Sequence, residues 1–566
     1  MMSQRNKKTG IRRNTTIQEM RMLIRQPALL ITILLILTSL IIFILFPLYK
    51  IAKLSITDQT GHFTVANLIN VFTSLSYRIT FFNSLKLALT VAAIATFVAY
   101  IFAYALSRTD LPGKKFFNLI IQLPIVSPPF ILALAVIFLF GRQGLITRSL
   151  LGIKNNNVYG MHSLILIQVI SYFPVAFLTL TGILGAIDSS VEDAALNAGA
   201  SNWHTFWTVT FPLSMPGVVS AFLLTFVQSL EDFSNPAVIG GDYAVLATEA
   251  YRIITGLYDF NGGAALAIML MLPTVCAFML QRYWLGHKSF VTVTGKPTQK
   301  TRRMNNGAIP PLFIFCSVVV IFILLLYGTV FVGAFCKTWG VDYTLGFSHF
   351  KYVWGYGKEA LRKSITLACI AAPITGVLGI GIAYLTSRKR FPGKGIMKIS
   401  SLLTFAIPGT VLGIGYISAF NTKPILLTGT AVILVAAFVF RNISVAIESG
   451  SSTLLQIDKS IEEASTILGA STGTTFRRIT LPLLKQPFFT GIVFSFVRSV
   501  TAVSTVVFLV SPKWPLATSK IFGLFEISKY SDAAAFVTLM ILIILLAIAI
   551  INGIVNIILK PRIHKI

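Results

Sequence analysis

A chain of 566 residues that is 55% hydrophobic and only 12% charged is too apolar for a soluble fold, so soluble enzymes and soluble nucleic-acid binders are excluded despite a formal net charge of +28. The Lys and Arg excess fits basic loops held on the cytoplasmic side of a membrane, against anionic lipid. Four cysteines are too few for a disulfide framework; Cys276, Cys316 and Cys369 sit in apolar runs, where a small hydrophobe suffices.

In chain order, a basic segment at 1–27 carries Arg5, Lys7, Lys8, Arg12 and Arg13, and an apolar run at 28–48 follows. The run is too long for a signal-peptide core, and Phe46-Pro47-Leu48-Tyr49-Lys50 offers no small-residue cleavage site, so an uncleaved first span is expected. Further spans are expected near 83–106, 117–140, 161–186, 217–238, 264–285, 310–336, 364–386, 399–420, 427–448, 488–510 and 536–559. The expected fold is an all-α integral membrane protein of about 12 transmembrane helices. With both termini in the cytoplasm, 28 of the 47 Lys and Arg residues fall in cytoplasmic segments, the direction that the positive-inside rule requires. Pro128, Pro129 and Pro408 lie inside expected spans and are candidates for kinks.

Two polar islands repeat at a constant offset of 270. The first reads Glu192-Asp193-Ala194-Ala195, Gly199-Ala200-Ser201 and Thr210-Phe211-Pro212-Leu213; the second reads Glu462-Glu463-Ala464-Ser465, Gly469-Ala470-Ser471 and Thr480-Leu481-Pro482-Leu483. Each predicts a helix, a glycine turn, a second helix and a proline stop. In the first copy Trp203, Phe206 and Trp207 share a helix face. Asn83-Ser84-Leu85, Ser107-Arg108, Pro112-Gly113-Lys114 and Pro128 match Lys363-Ser364-Ile365, Ser387-Arg388, Pro392-Gly393-Lys394 and Pro408 at an offset of 280. Six spans per half is an even number, so the halves are parallel repeats. The expected domains are 28–286, with its motif loop at 188–216, and 310–566, with its motif loop at 458–487; a basic cytoplasmic linker at 287–309 joins them.

The paired islands resemble the "EAA" loop of ABC importer permeases, and the chain resembles the fused type that carries both halves. The resemblance implies the type I ABC importer permease fold in the bacterial cytoplasmic membrane. It further implies coupling to two copies of a separate ATPase subunit, through Glu192, Asp193, Ala194, Ala195, Gly199, Pro212, Glu462, Glu463, Ala464, Gly469 and Pro482. A periplasmic or lipid-anchored substrate-binding protein would deliver the cargo. Stretches such as Leu230-Glu231-Asp232-Phe233-Ser234-Asn235-Pro236 and Val291-Thr292-Val293-Thr294-Gly295-Lys296-Pro297 are most similar to the ferric-iron group. Permeases for phosphonates, sugar phosphates, thiamine or polyamines share the architecture and stay open as alternatives, as does a twelve-span secondary transporter.

No Gly-x4-Gly-Lys-Ser/Thr occurs, so ATP hydrolysis is expected on a partner, with ATP and Mg held there and no cofactor on this chain. The six histidines have no metal-ligand spacing, no nucleophile constellation stands out, and no nucleic-acid partner is expected. Charges inside spans are costly and face a cavity or a partner. Glu231, Asp232, Arg498 and Arg441 are therefore translocation-path candidates, with helix packing as the competing role; Arg498 is expected near the midplane.

Overall fold

The computed structural model describes residues 26–285 and 309–559. Most of the N-terminal segment and of the 287–309 linker therefore lies outside the described residues. Among the described residues, ten helices are long and apolar enough to cross a membrane, or up to twelve if each of two bent pairs is one span. Met161–Ala186 matches its expected span to the residue.

Two expected spans are broken at their prolines. Lys394–Ala406 and Gly409–Phe420 meet at 118°, with Pro408 between them. In the first half, Lys114–Ile121 and Leu123–Val126 end before Pro128-Pro129, and Ile131–Phe140 starts afresh. A proline has no N–H for the helical ladder and pushes its predecessor out of the helical region, so the chain turns there.

The compact units do not follow the sequence halves. One unit gathers described residues from 1–53, 359–517 and 542–566, the other those from 54–358 and 518–541. Each half thus gives its first helix to the unit built on the other half. In the first of these units Ala431–Gln456 packs along Lys485–Val500 and Lys394–Ala406. The initial helix Pro27–Ser55 joins them by placing the Phe43 ring 5.0 Å from Phe440 and 5.7 Å from Phe420.

In the other unit Leu75–Arg108 lies along Met161–Ala186 and Asn202–Leu230. Ile309–Phe335 packs on Ile131–Phe140, with Gly333 so close to the Phe138 ring that a Cβ there would stand 2.4 Å from it. It leads into a two-stranded antiparallel hairpin, Cys336–Thr338 with Asp342–Leu345.

Each of the repeated serines caps a short helix. Ser84 Oγ accepts the Leu246 N–H at 2.8 Å, at the start of Leu246–Gly256. Ser364 Oγ accepts the Ala517 N–H at 2.8 Å, at the start of Ala517–Glu526. Both serines are buried, so each supplies a partner to a helix-start N–H that water cannot reach.

Candidate functional site

Both polar islands fold into the same elbow. Asp188 accepts the Ser190 N–H at 2.9 Å and Asp458 accepts the Ser460 N–H at 2.9 Å, so each elbow opens on an equivalent carboxylate. Hydrogen bonding from Ser460 holds the Asp458 carboxyl below the usual carboxylate range. The first elbow helices are Ser189–Asn197 and Ser460–Ile467. Both end on a left-handed glycine, Gly199 at φ +89° and Gly469 at φ +81°. The Ala200 N–H then reaches Ala195 O at 3.1 Å and the Ala470 N–H reaches Ser465 O at 3.1 Å, a closure that satisfies the last-turn carbonyls. Ser201 and Ser471 cap the next helix through the N–H groups of His204 and Thr474, each at 3.2 Å.

The expected proline stop is absent from the first copy, whereas in the second the helix ends at Leu483, just after Pro482. In the first copy the chain runs as one helix, Asn202–Leu230, straight through Pro212. The missing Pro212 N–H is absorbed by a π-helical segment at Phe206–Thr210, where the Phe211 N–H bonds Phe206 O five residues back. Phe476–Thr480 repeats that widening before Pro482. The second copy then bends by 66° between Gly473–Leu483 and Lys485–Val500. The first elbow therefore continues directly into a membrane helix, whereas the second joins its membrane helix across that bend.

The motif glutamates face inward. Glu192 Oε2 takes a hydrogen bond from Arg108 Nη1 at 3.3 Å, and its Oε1 takes one from the Thr210 hydroxyl at 2.7 Å. Arg388 Nε stands 3.3 Å from Glu462 Oε1, which also accepts from the Thr480 hydroxyl at 3.2 Å. The first pair is 4% and 7% exposed, the second 6% and 17%. Lys389 adds a cation beside the second pair; burial lowers its pKa and Glu462 partly opposes this.

Asp193, Ala194, Glu463 and Ala464 are exposed on the first helices, whereas Ala195 is half-buried. Large apolar side chains are exposed as well: Trp203 (71%) and Trp207 on the first elbow, Ile467 and Leu468 (87%) on the second. Trp203, Phe206 and Trp207 do share a face, with ring centroids 5.2–6.1 Å apart.

Glu231, Asp232 and Arg498 sit at helix ends, whereas Arg441 lies inside Ala431–Gln456. Glu231 caps the C-terminal end of the helix that finishes at Leu230. Asp232 follows, buried, accepting from Gln168 Nε2 and Asn235 Nδ2 at 2.8 Å each and from the N–H groups of Ser234 and Asn235. Ser229 Oγ completes the set on Gln168 Oε1 at 2.5 Å. Asp232 thus starts the next helix, Ser234–Ile239, which is why the expected span to 238 breaks. Arg498 is an exposed residue in the last turn of Lys485–Val500, and its guanidinium lies 5.4 Å from the Phe494 ring centroid. It belongs to one compact unit, Glu231 and Asp232 to the other. Arg441 donates to Ile407 O at 2.7 Å and Thr404 O at 3.4 Å, closing the broken helix end before Pro408.

Residues 95–285 and 376–565 each match the family model described as "Binding-protein-dependent transport system inner membrane component". The chain belongs to that family. Both matched stretches contain one elbow, so this inner membrane component carries two copies of the family domain. It is 36% identical over 487 residues to the ferric transport system permease protein FbpB of Actinobacillus pleuropneumoniae, covering 84% of this chain and 71% of the relative. To a putative ferric transport system permease protein FbpB 1 of Haemophilus influenzae it is 37% identical over 442 residues, covering 76% and 70%. The molybdenum transport system permease protein ModB of Escherichia coli is 27% identical over 195 residues, 84% of that relative but only 33% of this chain. That relative aligns with about the length of one half.

The sequence reading missed the partners of the permease motif's glutamates. Arg108, Arg388, Thr210 and Thr480 each stand in a repeated stretch noted above, but repetition alone does not say that an arginine at one helix end meets a glutamate 84 residues later. Helix packing supplies that pairing.

Proposed function

We propose that this chain forms the translocation pathway of a binding-protein-dependent ABC importer for ferric iron. Two copies of an ATP-hydrolysing subunit grip the elbows at 188–216 and 458–487 from the cytoplasm. ATP and Mg stay on that subunit, and this chain brings no cofactor of its own. A substrate-binding protein docks on the outer face and releases its cargo into the cavity opened there. Both chain termini lie in the cytoplasm, and access alternates as the subunits close on ATP and reopen.

One observation carries the reading: two elbows 270 residues apart fold with the same glycine closure and the same inward glutamate, and both expose large apolar side chains. Large exposed apolar groups mark a docking surface. Ferric iron is favoured over the alternatives because the relatives aligned over most of this chain carry ferric transport in their names.

The test is uptake of radiolabelled ferric iron into proteoliposomes holding this chain, its ATPase and its binding protein. Uptake is expected only with all three and ATP. Iron entry driven by an ion gradient without ATP would make the chain a secondary transporter. ATP-dependent uptake of a phosphonate or molybdate in place of iron would overturn the cargo.

A further inference from the structure

Each elbow is tied to helices that it does not belong to. Arg108, the last residue of Leu75–Arg108, sends Nη2 to Leu184 O at 2.6 Å and Ile187 O at 3.1 Å while Nη1 holds Glu192. Leu184 and Ile187 lie at the C-terminal end of Met161–Ala186. Arg388, the last residue of Ser348–Arg388, sends Nη2 to Ile457 O at 2.6 Å and Leu454 O at 2.9 Å, at the end of Ala431–Gln456, and faces Glu462. The glutamates carry the linkage on to Thr210 and Thr480, just before the prolines.

Three chain segments therefore meet on one guanidinium in each copy, and the glutamate ties in a fourth through its threonine. The last carbonyls of a helix lack ladder partners and form its negative end, which favours a cation there. Serving two carbonyls and a carboxylate at once needs the planar, five-donor fork of arginine; a lysine ammonium is a point charge on a flexible stem.

We propose that Arg108 and Arg388 are positioning residues for transport. Each locks its elbow to the ends of two membrane helices, so that displacement of the elbow moves those helices with it. The proposal rests on reading the elbows as the ATPase handles. The second clasp is the looser one, since Glu462 is more exposed than Glu192 and meets both Arg388 and Thr480 through its Oε1. Arg388 is therefore the residue to change.

The experiment uses the full chain with its ATPase and binding protein and reads ferric ions imported per ATP hydrolysed. The double variant Arg388→Met/Glu462→Leu replaces the pair by apolar groups of similar size, which removes the clasp without stranding a charge. Import per ATP is expected to fall by about tenfold, in the range of ordinary coupling energies. Arg388→Lys is expected to restore part of it. An unchanged ratio in the double variant overturns the proposal. Where the double variant does not assemble, Thr480→Val decides: a lower ratio supports the clasp and a wild-type ratio overturns it.

A cargo-independent readout separates this proposal from the functional one. In wild type, ATP binding is expected to change hydrogen exchange together at the elbow and at the helix ends 385–388 and 454–457. In the variant the change is confined to the elbow. Coincident changes in the variant overturn the clasp, whereas absence of iron import by the wild type overturns only the cargo.

Discussion

Glu192 and Glu462 share a motif but not an environment. Arg108, 4% exposed, loses its carboxylate partner when Glu192 is removed and is left as a buried cation bonded only to carbonyls. Stranding a buried charge costs about 3 kcal/mol. Glu462 is 17% exposed, so the loss there is screened by water and smaller. Glu192→Ala is thus expected to lower the melting temperature of the detergent-solubilised chain clearly more than Glu462→Ala does; equal shifts would contradict the inequality. At this scale the motif residues were plain in the sequence, because glutamate, glycine and proline recur at fixed spacing. Their orientation was not plain. Inward-facing glutamates need Arg108 and Arg388, which arrive from helices that spacing along the chain cannot relate to the loop.

The helices show where local rules hold and where neighbours override them. Pro408 breaks its span as its chemistry demands, and the 118° turn follows. Pro212 does not, because the π-helical turn at Phe206–Thr210 takes up the missing hydrogen bond. A proline alone cannot tell these outcomes apart, which is why the second elbow helix was expected to stop. The repeated serines teach a related lesson: Asn83-Ser84 and Lys363-Ser364 stood out as a repeat, but their task depends on Leu246 and Ala517, more than 150 residues away. Replacing Ser364 with Ala leaves the Ala517 N–H buried without that partner, at a cost of about 1–3 kcal/mol. Melting of the Ser364→Ala chain is expected to shift accordingly, while Ser364→Thr, which keeps the hydroxyl, shifts less. No shift on Ser364→Ala would mean that the cap is replaced by water.

For the molecule as a whole, the number of spans and the doubled plan were legible because membrane helices announce themselves by length and apolarity. The exchange of first helices between the halves was not, since Pro27–Ser55 and Ile309–Phe335 carry no mark of which partner they pack on. The proposed cargo rests on resemblance alone: among the path candidates, Arg441 closes a helix end and Asp232 starts one, and neither points to a particular ligand. The proposed function requires both elbows to be handles for an ATPase in the cytosol. The direct measurement places a photo-crosslinking amino acid at Trp203 and, separately, at Leu468 in native membranes and identifies what each captures. The account predicts that both positions capture the ATP-hydrolysing subunit. Capture of a protein on the outer face, or capture of the ATPase from neither position, would contradict it.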